Sequence, residues 1–121
     1  MNNLNRVVLM GHLSNNPTSG ETARGKKTAT FHIATNEFIK NAAGEKIKRT
    51  DQHTIITYEK TADACIKMLQ KGSMVLVEGK IRSLIDKRGR KQSYEILATD
   101  VSFISNYKAN EVEEAQDGNN N

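Results

Sequence analysis

With 121 residues, 36% hydrophobic and 26% charged, and a mean hydropathy of -0.63, the chain suits one soluble domain with a modest core. Its formal charge of +4 hides an asymmetry: residues 109–121 hold four acids and no Lys or Arg, leaving residues 1–108 with eighteen basic against ten acidic side chains, +8. Such a body points to a polyanionic partner; no apolar run reaches the roughly 18 residues of a membrane span, and Met1–Arg6 lacks the apolar core of a secretory signal, so no membrane association and a cytoplasmic, nucleoid-associated location are expected.

Asn5 to Leu13 alternates, with Val7, Leu9, Gly11 and Leu13 on one face and Val8, Met10 and His12 on the other, which predicts a first strand. Asn15, Asn16 and Pro17, the sole proline, stop it. Thr18 to Lys27, rich in Ser, Thr, Gly and charge, reads as an exposed loop. The next strand runs from Thr28 to Glu37, where Ala29, Phe31, Ile33 and Thr35 share a face. Phe38 to Arg49 contains Gly44 and little apolar material, so it reads as a long hairpin loop before a third strand, Asp51 to Tyr58.

Lys60 to Gln70 changes period: Ala62, Cys65, Ile66 and Leu69 fall at i, i+3, i+4 and i+7 of an amphipathic helix. Thr61 is the expected N-cap and Gly72 the left-handed stop. Met74 to Leu84 alternates again, with Val75, Val77, Gly79 and Ile81 on one face. Asp86 to Lys91 forms a charged tip, and Ser93 to Ile104 returns as the fifth strand. The polar, acidic, Asn-rich end cannot bury enough surface to order itself.

Three strands, a helix and two strands is the element order of an all-β, five-stranded OB-fold barrel with one helix and a disordered C-terminal tail. The expected division is a barrel domain over residues 1–107 and a flexible acidic tail over 108–121. The same three strands and helix would also begin an open α+β sheet.

The cations gather in the connections: Arg24, Lys26 and Lys27 after the first strand, Lys40, Lys46, Lys48 and Arg49 after the second, and Lys80, Arg82, Lys87, Arg88, Arg90 and Lys91 along the last hairpin. On a barrel these connections rim a face along which a phosphate backbone can run, although solubilising loop charge would give the same distribution. Stacking of bases on rings is the other ingredient of single-strand binding. Phe38, at a loop entrance, and Tyr58, at a strand end, are the candidates, whereas Phe31 and Phe103 read as core. Cys65 is the only cysteine and reads as a small buried residue, and His12, His32 and His53 are scattered, so no metal or other cofactor is assigned. Asp51, Asp63, Asp86 and Asp100 belong to different elements with no paired motif, so no catalytic residue is assigned and no enzyme is expected.

Leu4-Asn5-Arg6-Val7-Val8-Leu9-Met10-Gly11-His12-Leu13 with Asn16-Pro17 resembles the N-K-V-x-L-x-G-x-L opening and D-P turn of the bacterial single-stranded DNA-binding protein family. Thr30-Phe31-His32-Ile33-Ala34-Thr35-Asn36-Glu37 is similar to its F-x-L-A-T-N-E strand. Gly44-Glu45-Lys46 and Thr50-Asp51-Gln52-His53 resemble its G-E-K and T-E-W-H segments, and Lys71 to Arg82 its K-G-S-x-V-x-V-E-G-x-L-R. The resemblance implies a non-sequence-specific single-stranded DNA-binding protein, a homotetramer or a dimer, that protects single strands in replication, recombination and repair. It further implies DNA contact by Tyr58, Phe38 and the basic loops, and places His53 near a subunit contact; as a bare residue, His53 reads as a strand histidine satisfied by a neighbour.

Where family members place Trp, this chain has Phe38 and Ile39, then Gln52, then Leu84 and Ile85. Affinity is accordingly expected to lean on charge. The family's closing D-D-x-I-P-F motif, which docks replication and repair proteins, has no match here, so the resemblance carries no protein-docking residues over. The missing motif and the absent Trp favour, as an alternative, a primosome-type accessory protein on the same barrel, binding DNA and a protein partner.

Overall fold

The computed structural model describes residues 2–86 and 88–105, apart from the side chains of residues 91 and 92. The expected boundary at 107 and the tail over 108–121 lie outside the described residues. The elements are β1 (Val7–Leu13), β2 (Thr18–Glu21), β3 (Lys27–Lys40), β4 (Lys46–Tyr58), α1 (Glu59–Met68), β5 (Met74–Ile85) and β6 (Lys91–Ser105).

Five long strands close on themselves. β1 pairs antiparallel with β5 along most of its length and with β3 at His12–Ala34 and Leu13–Ile33, while β3–β4 and β5–β6 are antiparallel hairpins. A short parallel pairing of Ile55 and Ile56 with Ile96 and Leu97 joins β4 to β6 and completes the ring. Closure leaves few open edges, and the alternating apolar residues give it one interior. Leu13, Ala29, Phe31, Ile33, Ile55, Val75 and Val77 fill that interior, and Ala62 and Cys65 from the helix, with Leu69 at its C-cap, cover its end. Each large apolar side chain buried this way contributes about 1.5–3 kcal/mol.

Two glycines sit where neighbouring backbones approach closely. A Cβ on Gly11 would collide with the carbonyl of Ala34, and one on Gly79 with that of Leu97, where β5 shifts register against β6.

Several expectations change. Thr18–Lys27 is not all loop: β2 pairs with β3 through its backbone, with all four residues exposed, so no apolar alternation marks it. Most of the predicted loop 38–49 is strand, and its turn is confined to residues 41–45, where Asn41 N–H donates to Glu45 C=O at 2.9 Å and Gly44 takes φ 82°. Both faces of this distal hairpin are exposed, so it reaches past the barrel without a core-facing pattern.

The helix begins at Glu59, with Tyr58 in place of Thr61 as its N-cap and no side-chain cap hydrogen bond. Glu59 makes the strand-to-helix turn with φ 52°. Gly72, at φ 93°, lies beyond the helix and ties its exit to β1: Gly72 N–H donates to Leu13 C=O at 2.8 Å and Leu13 N–H to Ser73 C=O at 2.9 Å. Phe103, expected in the core, is 37% exposed, because β6 meets β4 only at Ile96 and Leu97 and beside Phe103 pairs on one edge alone, with β5 at Val75. Ile81, past the bend at Gly79, is likewise exposed.

Candidate nucleic-acid interface

In β3 and β4 the odd-numbered residues Ala29, Phe31, Ile33, Ile55 and Thr57 face inward and are buried. The even-numbered residues therefore face outward, and residues directly opposite in an antiparallel pair share a face. Register places Tyr58 opposite Thr28, Ile56 opposite Thr30, Thr54 opposite His32, Gln52 opposite Ala34, Thr50 opposite Asn36, Lys48 opposite Phe38 and Lys46 opposite Lys40. One continuous outer surface thus carries both ring candidates and three of the expected lysines. Ten residues of β4 separate Tyr58 from Lys48, about 33 Å at the usual strand rise.

At one end, the turn after β2 brings Arg24 and Lys26 to Tyr58, and β5 brings Arg82. With Thr22, Ala23 and Leu97 they line an open cleft of about 480 Å³. Lys26 Nζ stands 5.0 Å from the Tyr58 ring centroid, and the Arg82 guanidinium 6.0 Å from it. Arg82 also donates to the Tyr58 hydroxyl at 2.9 Å and, through Nη2 and Nε, to Glu95 Oε2 at 2.7 and 3.2 Å. Glu95 first, and then Tyr58, pushes the Arg82 pKa up from its ordinary value, so the guanidinium stays charged. The ring is held by its hydroxyl end. At the other end, Lys46 Nζ stands 4.7 Å from the Phe38 ring centroid, and that ring is 63% exposed. Such cation–ring contacts at exposed sites are worth about 0.5–1 kcal/mol.

The remaining expected residues are spread more widely. Lys27 faces the helix side, 3.8 Å from Asp63, and Arg49 turns to the opposite face of the hairpin, 3.4 Å from Asp51. Arg88 and Arg90 lie at the tip between β5 and β6, where Arg90 pairs with Asp86 at 3.3 Å. Lys80 is exposed on β5 opposite Leu97. Lys87 and the side chain of Lys91 fall outside the described residues. His53 points inward and shares a 2.9 Å hydrogen bond between Nε2 and Thr35 Oγ1. The Cys65 thiol is buried, and desolvation, partly offset by a hydrogen bond with Thr57, pushes it up to about 11.

Sequence reasoning missed Glu95, which lies thirteen positions from Arg82 and meets it only through the β5–β6 register. It also missed the hydroxyl partners of two outward carboxamides: Ser14 donates to Gln52, and Thr50 to Asn36. Among the described residues no three of His, Cys, Asp and Glu gather as a metal site, and no helix is long and apolar enough to cross a membrane.

The chain is similar to single-stranded DNA-binding protein 1 of Chlorobaculum tepidum, 39% identical over 105 residues that cover 84% of this chain and 65% of that protein. It is also similar to the single-stranded DNA-binding protein of Neisseria meningitidis serogroup A, 31% identical over 110 residues, 88% of this chain and 63% of that protein. The chain thus spans just under two thirds of these relatives' length. Among solved structures, the Plasmodium falciparum SSB in complex with ssDNA superposes with a TM-score of 0.74 at 29% identity, over 87% of this chain and 98% of that one. A sequence model of the single-strand binding protein family matches residues 4–104, and with the closed five-stranded barrel around it this shows that the chain belongs to that family.

Proposed function

We propose that this chain binds single-stranded DNA without strong sequence specificity and holds it without chemical change, protecting exposed strands during replication, recombination and repair. The observation that carries the reading is the outer face of β3–β4: Tyr58 flanked by Lys26 and Arg82 at one end, Phe38 with Lys46 at the other, and Lys40 and Lys48 on the same surface. Cations there take the place of the counterions condensed on the phosphates, and the two rings accept unpaired bases, whose faces are hidden in a duplex. Exposed Val8 and Met10 on β1 support assembly as a homotetramer; His53 near a subunit contact and a location in the cytoplasm go with the same reading.

Titration of a fluorescent oligo-dT across a salt series tests the binding. Affinity should fall linearly on a log–log plot, with a slope of about -0.7 for each phosphate neutralised. An affinity indifferent to salt overturns the reading.

A further inference from the structure

The cations of the outer β3–β4 face stand at its two ends, Arg24, Lys26 and Arg82 around Tyr58 and Lys40, Lys46 and Lys48 around Phe38. Between them, the outward residues from Thr30 to Asn36 on β3 and from Thr50 to Ile56 on β4 include no Lys, Arg, Asp or Glu. A strand that joins the two ends must cross this middle, and His32 is the one titratable side chain among those residues. It lies about 13 Å along β3 from the row of Tyr58 and about 20 Å from Phe38.

His32 is pinned to the end of β1 through its backbone: its N–H donates to Asn15 Oδ1 at 2.9 Å, and its C=O accepts from Ser14 N–H at 2.9 Å. The half-buried ring forms no hydrogen bond or ion pair among the described residues. Every neighbouring carboxylate faces elsewhere. Glu37 and Asp51 lie on the other face of the hairpin, and Asp63 of α1 turns to Lys27 at 3.8 Å. On β2, Thr18 lies opposite Thr30, and Glu21 is opposite Lys27, on the helix side. On β1 the diagonal neighbour is His12, and farther along that face Arg6 pairs with Glu78 at 2.9 Å. No protein carboxylate therefore stabilises the imidazolium, whereas a phosphate crossing the middle of the face would.

We propose that His32 holds a phosphate of the bound strand as an imidazolium, so that binding takes up a proton and tightens as pH falls through the ordinary histidine range. The inference rests on the single-strand reading above. The sign follows from linkage: the complex holds the proton more firmly than the free protein, so lowering the pH favours the complex.

Fluorescence anisotropy of an oligo-dT carrying a rhodamine label tests this, since neither thymine nor the label titrates between about pH 5.5 and about pH 8. The ratio of affinity at the lower pH to that at the higher should be about 3- to 10-fold larger for the wild type than for His32→Gln, the effect of one charge-assisted contact. His32→Arg carries a fixed cation, so it should bind more tightly than His32→Gln at about pH 8 and show the same small pH ratio. The wild-type salt dependence should steepen by about 0.7 log units per log unit of salt at the lower pH, as one more phosphate is neutralised. A wild-type pH ratio equal to that of either variant overturns the proton-linked contact and leaves single-strand binding standing. Failure to bind the strand at low salt at either pH overturns the reading on which it rests.

Discussion

Tyr58 combines in one side chain two requirements of the proposed base platform. Its ring is half-exposed, and its hydroxyl is fixed by Arg82, which Glu95 in turn orients. Tyr58→Ala should weaken binding of an oligo-dT by about 1–3 kcal/mol, the worth of one stacked base. Tyr58→Phe keeps the ring and loses only the hydroxyl anchor, so it should cost about 1 kcal/mol or less in the same titration. Cys65 allows a test away from the proposed DNA face. Its buried thiol, pushed up to about 11, stays neutral in the fold at pH values where the thiol of the unfolded chain has ionised. The resulting stabilisation is present below about pH 9 and is lost as pH rises toward about 11. Urea midpoints should therefore fall more steeply across that window in the wild type than in Cys65→Ala, and at about pH 8 a thiol reagent should label Cys65 only on unfolding.

At the scale of elements, the β3–β4 hairpin explains why the face is long. Strand pairing continues through Lys40–Lys46, well past the last core residues, and a five-residue turn anchored on Asn41 closes it. Asn41 Oδ1 accepts from Ala43 N–H at 3.0 Å and Glu45 N–H at 2.9 Å, the local bonding for which Asn is favoured in turns. Closure of the barrel depends on close backbone approach where β1 crosses β3. Gly11→Ala places a methyl group against the carbonyl of Ala34. A lowered urea midpoint, corresponding to about 1–3 kcal/mol of lost stability, is the expected result.

Charge is a property of the whole molecule. The body carries +8 over residues 1–108, yet several of its cations are already committed to carboxylates. Arg6 pairs with Glu78 at 2.9 Å, Arg49 with Asp51, Arg82 with Glu95 and Arg90 with Asp86. At exposed sites such pairs are worth about 0–1 kcal/mol each, so they tune the field more than they hold the fold. Lys40, Lys46 and Lys48 form no ion pair among the described residues. Lys40→Gln/Lys48→Gln should flatten the salt dependence of oligo-dT affinity by about 0.7 log units per log unit of salt for each phosphate that is no longer neutralised. An unchanged slope would mean that the phosphates run elsewhere.

The core strands and the helix were legible in the amino-acid sequence because burial writes a period of two or of 3.6 into it. Phe31, Ile33, Val75, Val77 and Cys65 are buried as that periodicity requires. The ordered motifs from Leu4 to Arg82 carried the family as well. β2 and the distal hairpin were not legible, since strands exposed on both faces are held by backbone hydrogen bonds and need no apolar alternation. Tertiary structure alone decided which cations share a face with the rings, because register sets the side of a sheet and a shift of one residue reverses it. It turned Arg49 and Lys27 away and brought Arg24, Lys26 and Arg82 around Tyr58. Glu95 meets Arg82, and Ser14 meets Gln52, across separations that only strand pairing closes.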